Sequence, residues 1–207
     1  MIEQRVRWLA SVMLVLASVG LAGCSSGSST PNGSSVPSAS PLPPSSVAPS
    51  QSTLPPRPAV LRLDGVDPCV LLNAAQLQLL AVNPGKPSQN NDGIGSRDCL
   101  WRNFPAKPDN GWLARAILAQ GAEYYLNSVT GAQIVQVDGF PAVETSSSLA
   151  DPDKQCLLYV DVAPGQSLEV QYLNGAGDYP GINRQVACQL AAKATELMLV
   201  NLRNVVH

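Results

Sequence analysis

Between residues 25 and 58 the chain carries twelve serines and nine prolines, and the first charge in that stretch is Arg57. A segment so poor in apolar mass cannot offset the entropy of ordering its backbone, so Ser25 to Pro58 is expected to stay disordered. Folding is thereby confined to Ala59–His207, a length that suits one domain with a core of its own. Proline bias makes the preceding stretch stiffer than a glycine–serine coil, with a reach between roughly 30 Å and about 100 Å. Its expected role is standoff. No basic residue flanks a repeated Pro-x-x-Pro core, which argues against a role as a proline-motif ligand.

The start of the chain reads as an export signal. Arg5 and Arg7 supply a short positive region, and Trp8 to Val19 is apolar except for Ser11 and Ser18. A run of that length followed by small residues suits a signal peptide better than a membrane span. Leu21-Ala22-Gly23-Cys24 then resembles the lipobox of bacterial lipoproteins. Cleavage before Cys24 would leave residues 1–23 as the leader, Cys24 as the lipid attachment site, and 24–58 as a lipidated tether. Several acyl chains on one cysteine, at about 0.8 kcal/mol per buried methylene, hold far more firmly than a single marginal one. The expected address is the extracytoplasmic face of a cell membrane, with the membrane itself as partner through that lipid.

Lipidation of Cys24 leaves Cys69, Cys99, Cys156 and Cys188, an even number in an oxidising compartment, and two disulfides follow. The competing reading is a four-cysteine zinc site. Its ligands normally come in close pairs, because one tight turn presents two thiolates at tetrahedral spacing. Here the spacings are 30, 57 and 32 residues, so no metal is expected. Three connectivities are open at this point.

Patterning places these cysteines. Asp67-Pro68-Cys69 opens a helix, with Asp67 as cap and Pro68 at the first position, and Val70, Leu71, Ala74, Ala75, Leu77 and Leu80 recur at helical spacing. Asn83-Pro84-Gly85 ends it, and Lys86 to Ser96 reads as loop. Strands are expected around Cys99–Phe104, at Leu113–Gln120 (which also admits a helix), and at Gln133–Val137. Asp138-Gly139 turns the last of these into Phe140–Glu144. Gln155–Val162 and Ser167–Leu173 form the clearest hairpin, Gly121–Val129 suits one or two helical turns, and Ile182–Val205 carries a long helix. The fold class is α+β: an antiparallel sheet packed against an N-terminal and a long C-terminal helix, both on one face.

Several of these features recur together in a known family: Asp-Pro-Cys opening the first helix, Cys-x-Trp at 99–101, Val137-Asp138-Gly139-Phe140-Pro141-Ala142-Val143, a cysteine in a late strand, and a cysteine heading the last helix in Ala187-Cys188-Gln189-Leu190-Ala191. With the lipobox, the chain resembles the actinobacterial, mycobacterial-type secreted lipoproteins whose shared extracytoplasmic domain is of unknown function. The resemblance spans roughly Asp64 to Leu202 and brings no catalytic residues. It departs at Val186-Ala187, where Asp-Pro is expected before the cysteine, which leaves the cap of the last helix open. If the two helix-head cysteines face each other, Cys69 pairs with Cys188 and Cys99 with Cys156, the preferred arrangement. The rival pairs Cys69 with Cys99 and Cys156 with Cys188.

The residue inventory narrows function. The formal charge is −2, with 14% charged residues and no basic cluster, so nucleic acid is a poor partner. The sole histidine is the terminal His207, which leaves a Ser-His-Asp or Cys-His arrangement without a positioned base. Oxidised cysteines offer no thiolate nucleophile. A serine–lysine pair would have to draw on Lys86, Lys107, Lys154 or Lys193. Glu144, Asp151, Asp153, Asp161 and Glu169 are candidates for paired carboxylates, and none lies in a telling motif. Asp151-Pro152-Asp153 lacks the run of oxygen ligands of a calcium loop, and no Gly-rich phosphate loop is present, so no cofactor is expected. Trp101, Trp112, Tyr124, Tyr125, Phe104 and Phe140 suit a core better than a pocket. The expectation is a non-catalytic binding or accessory module for an envelope protein, lipid or glycan. The alternatives are a carrier of an apolar ligand between sheet and helices, and a carboxylate hydrolase.

Overall fold

A computed structural model describes residues 53–88, 96–103, 105–106, 109–146, 151–175 and 181–206. These lie within one unit over 48–207. The leader, Cys24, Phe104, Lys107 and His207 fall outside the described residues.

Seven strands form one antiparallel sheet: β1 (Lys86–Ser88), β2 (Arg97–Arg102), β3 (Asn110–Ile117), β4 (Gln133–Val137), β5 (Phe140–Thr145), β6 (Cys156–Ala163) and β7 (Gln166–Asn174). Their spatial order is β1-β2-β3-β7-β6-β5-β4. Two meanders therefore meet at the β3–β7 seam, and the chain crosses from the middle of the sheet to its far edge between β3 and β4. That crossing carries the short helix α2 (Ala122–Ser128), which follows α1 (Ala74–Leu79) in the chain; the long α3 (Arg184–Val205) ends it. Asp138 and Gly139 both take positive φ, 49° and 80°, as the two-residue turn between β4 and β5 requires. β6 and β7 are buried along most of their length because both sheet faces are covered.

On the first face lie α1 and α3. Ala187, Ala191 and Ala194 recur at helical spacing along α3 and are fully buried, so the helix backbone approaches the sheet closely. Met198, Leu199 and Leu202 continue the buried stripe against a sheet surface that includes Trp101, Trp112, Leu158 and Tyr172. Trp112 Nε1 donates to the Leu190 carbonyl at 3.2 Å, which satisfies the one polar atom of that ring. The interior between the central strands and α3 is thus filled by large side chains. On the second face α2 (Ala122–Ser128) covers Ile117, Val143 and Tyr159, with Tyr125 stacked on Tyr159 at 3.5 Å between ring centroids.

β1 forms where the sequence reads as loop, and three further expectations need correction. The single N-terminal helix is two pieces: a 3-10 turn over Pro68–Leu71 capped by Asp67, then α1. Asn73 starts the second piece with its own capping box, its side chain accepting from Gln76 N while Gln76 reaches back to Asn73 N. Two good caps six residues apart compete, and the chain breaks at Leu72 between them. The folded body also begins before Ala59. Arg57 holds Asp161 through two hydrogen bonds of 2.9 and 2.7 Å, and Leu54 packs into the second-face cluster.

The third correction is the disulfide pairing, which is Cys69–Cys99 and Cys156–Cys188 rather than Cys69–Cys188 and Cys99–Cys156. Cys99 on β2 and Cys156 on β6 are separated by β3 and β7. Three strand spacings come to roughly 14 Å, twice what a disulfide can span between Cα atoms. The 3-10 turn instead sets Cys69 over β2, with Cα atoms 5.1 Å apart, and α3 sets Cys188 over the start of β6 at 4.9 Å. Each bridge staples a helical piece to the strand beneath it.

Candidate functional site

Between α3 and the edge strand β4 a groove of about 580 Å³ opens. Val135 and Val137 of β4, with Leu158 of β6, give it an apolar floor. Gln185, Gln189 and Ala192 line the opposite wall at i, i+4 and i+7 of α3, and Gln133 faces them from the strand. Arg184 at the first turn of α3 pairs with Glu144 of β5 at 3.4 Å, both partly buried, so the charges in the groove balance. The Cys156–Cys188 disulfide lies beside this pair, and a Glu144 oxygen and both sulfurs are mutually within 4.8 Å. Each of those sulfurs is bonded to the other, and neither is a thiolate a metal could take. None of the described lining residues is aromatic.

The chemistry available here is recognition: amide donors and acceptors on a wall, apolar surface beneath, and one compensated ion pair. Of the acids singled out above, Glu144 alone lines the groove. Asp151 caps the turn over Pro152–Lys154 and pairs with Lys154 at 3.3 Å, and Asp161 holds Arg57. The Asp153 side chain is exposed, and its amide N–H donates to Asp151. Lys86 lies on the opposite sheet edge, and Lys193 pairs with Glu196 on α3. Trp101, Trp112 and Phe140 are core, Tyr125 is half-buried, and Tyr124 is exposed.

Glu169 belongs to a different arrangement, on the second face. Strand register sets Asp98, Arg115, Glu169 and Tyr159 side by side across β2, β3, β7 and β6. Arg115 donates to both carboxylate oxygens of Asp98 at 2.9 and 3.0 Å and reaches Glu169 at 3.4 Å. Both acids are buried. Burial first, and the Glu169 charge second, hold the Tyr159 phenol well above its ordinary range. Two carboxylates share one guanidinium here, so the row is a charge network spanning the sheet, with no substrate cleft between the acids. Sequence reasoning missed Asp98 and Arg115. The available signal was a lone arginine inside the apolar run Leu113–Ile117, a position that demands a buried partner.

Fold and groove together define a disulfide-stapled α+β domain whose open recess lies at a sheet edge. The chain belongs to the family described as protein of unknown function (DUF3558), whose model matches residues 19–201. No curated protein and no solved structure matches it.

Proposed function

We propose that this chain is a membrane-anchored cell-envelope lipoprotein of the actinobacterial, mycobacterial type. It is a non-catalytic binding or accessory module that presents the groove between β4 and α3 to a partner in the envelope. The observation that carries the binding reading is the groove itself: glutamine amides on its walls, a valine and leucine floor, and a balanced Arg184–Glu144 pair. Buried apolar area gives such a site its affinity and a few placed polar groups give it orientation. Export and lipidation are supported by Arg5, Arg7, the apolar run to Val19 and the lipobox-like Leu21–Cys24, of which only Val19 and Leu21–Cys24 fall within the family match. No helix among the described residues is long and apolar enough to cross a membrane.

The test is mass spectrometry of the full-length protein extracted from membranes in detergent. Under denaturing, non-reducing conditions the expected mass is that of a chain beginning at an acylated Cys24, with four cysteines oxidised. An intact, unlipidated leader would overturn the anchor. For the groove, Gln189→Trp fills the recess from an α3 position with little cost to the core. Under native conditions a small molecule retained by the wild type and lost from Gln189→Trp makes the domain a carrier of that molecule. Wild-type protein that carries nothing, and whose cross-linked envelope partner is lost from Gln189→Trp, is the result the binding-module reading expects. A partner retained by that variant moves binding away from the groove and sinks the reading.

A further inference from the structure

The two edges of the sheet are built differently. β1 is three residues long, and two of them are Lys86 and Pro87, the charge and the missing amide donor that natural sheets use to blunt an edge. β4 reads Gln-Ile-Val-Gln-Val, with no charge, no proline and three β-branched residues, and among the described residues it pairs only with β5. Ile134 is 42% exposed on it. Such an edge is a template for a further strand.

The hydrogen-bond parity of that edge follows from the turn. In a two-residue hairpin the flanking residues, here Val137 and Phe140, exchange both main-chain bonds, and bonded and non-bonded pairs then alternate along the ladder. Val137, Val135 and Gln133 therefore spend their N–H and C=O groups on β5. Ile134 and Gln136 point theirs outward. Pro141, which has no N–H to give, sits opposite Gln136 at a non-bonded position, as this parity requires.

We infer that β4 pairs antiparallel with β4 of a second copy of this chain, about a two-fold axis through Val135. That register sets Ile134 opposite Gln136 of the second copy, and Gln136 opposite its Ile134. Both are outward-bonding positions, so two narrow pairs supply four main-chain hydrogen bonds. Val135 meets its symmetry mate as a non-bonded pair on the axis, with Cα atoms about 4.5 Å apart. Every facing pair is uncharged, and an isologous contact of this kind closes at two copies. The same operation on β1 would bring Lys86 and Pro87 into the ladder and fails. Because the axis is normal to the sheet, both α3 helices stay on one face. The two grooves then become one cleft, floored by the paired β4 strands and walled by a helix from each copy. The pairing does not depend on what the groove binds.

Sedimentation velocity on the full-length chain in detergent tests this, alongside Ile134→Lys and Gln136→Pro. Both substitutions sit on the solvent edge and leave the β4–β5 bonds in place, so the thermal midpoint of each variant checks that it is folded. The expected result is a wild-type dimer and dimerisation weakened at least about tenfold in each variant. Val135→Cys reads the register: it gives a disulfide-linked dimer, whereas Gln133→Cys, which this register sets opposite Val137, does not. A wild-type chain that is monomeric at roughly 100 μM overturns the inference. So does a dimer that both edge variants retain, or one that cross-links through Gln133→Cys and not Val135→Cys.

Discussion

At the residue scale the second face of the sheet is governed by where charge can be buried. Asp98 and Glu169 sit out of water because Arg115 lies between them, and Tyr159 next in the row keeps its proton for the same reason of burial. The sign of its effect on stability follows by linkage. The folded-state phenol is raised above its ordinary value near 10, so the unfolded chain releases the proton first as pH climbs. The stabilisation is whole below about pH 10 and is lost above it. Urea midpoints measured between pH 8 and 11 should therefore fall steeply at the alkaline end for the wild type. Tyr159→Phe, which keeps the stack on Tyr125, should show a shallower fall. Equal slopes for the two proteins would show that Tyr159 ionises as freely folded as unfolded.

At the element scale the start of α3 resolves what the sequence leaves open. The cap is Asn183, whose side-chain oxygen accepts from Val186 N at 3.0 Å, so Cys188 sits in the second turn and not at the helix head. Asn183→Ala should cost about 1 kcal/mol and lower the thermal midpoint by a few degrees. A change below one degree would mean another group caps the helix. The hairpins and the long helix were legible because their signals are local: Asp138-Gly139 for the β4–β5 turn, alternation through β6 and β7, and the 3.6-residue stripe of α3. The first helix was not, because the contest between Asp67 and Asn73 is decided by how Leu71 and Leu72 bury against the sheet. β1 escaped notice because Lys-Pro-Ser carries no strand pattern of its own and exists only by pairing with β2. The groove was equally illegible. Val135 lies 50 residues from Gln185 and 54 from Gln189, and nothing short of the sheet order sets α3 beside β4.

At the scale of the whole molecule the two disulfides do matching jobs on one face of the sheet, fastening the N-terminal turn to β2 and α3 to β6. Their pairing was hidden from the sequence because it depends on strand order, which separates Cys99 from Cys156 by two strands. The bridges close loops of nearly equal length, with sequence separations of 30 and 32 residues. Restriction of the unfolded chain grows only with the logarithm of loop length, so this part of their contribution is the same for both, roughly 3–4 kcal/mol. Replacing Cys69 and Cys99 together by serine, or Cys156 and Cys188 together, should therefore destabilise by similar amounts in urea. Any gap between the two losses reports on the folded state alone. The loss at Cys156–Cys188 is expected to be the smaller. Cys69 sits on a four-residue 3-10 turn held otherwise by buried Pro68 and Leu71 and by the Asn201 hydrogen bond to the Leu71 carbonyl, whereas the 22-residue α3 keeps its longer buried stripe and the Trp112–Leu190 hydrogen bond when its bridge is gone. A larger loss at Cys156–Cys188 would mean that α3 owes its position over the sheet, and with it the wall of the groove, to that one covalent bond.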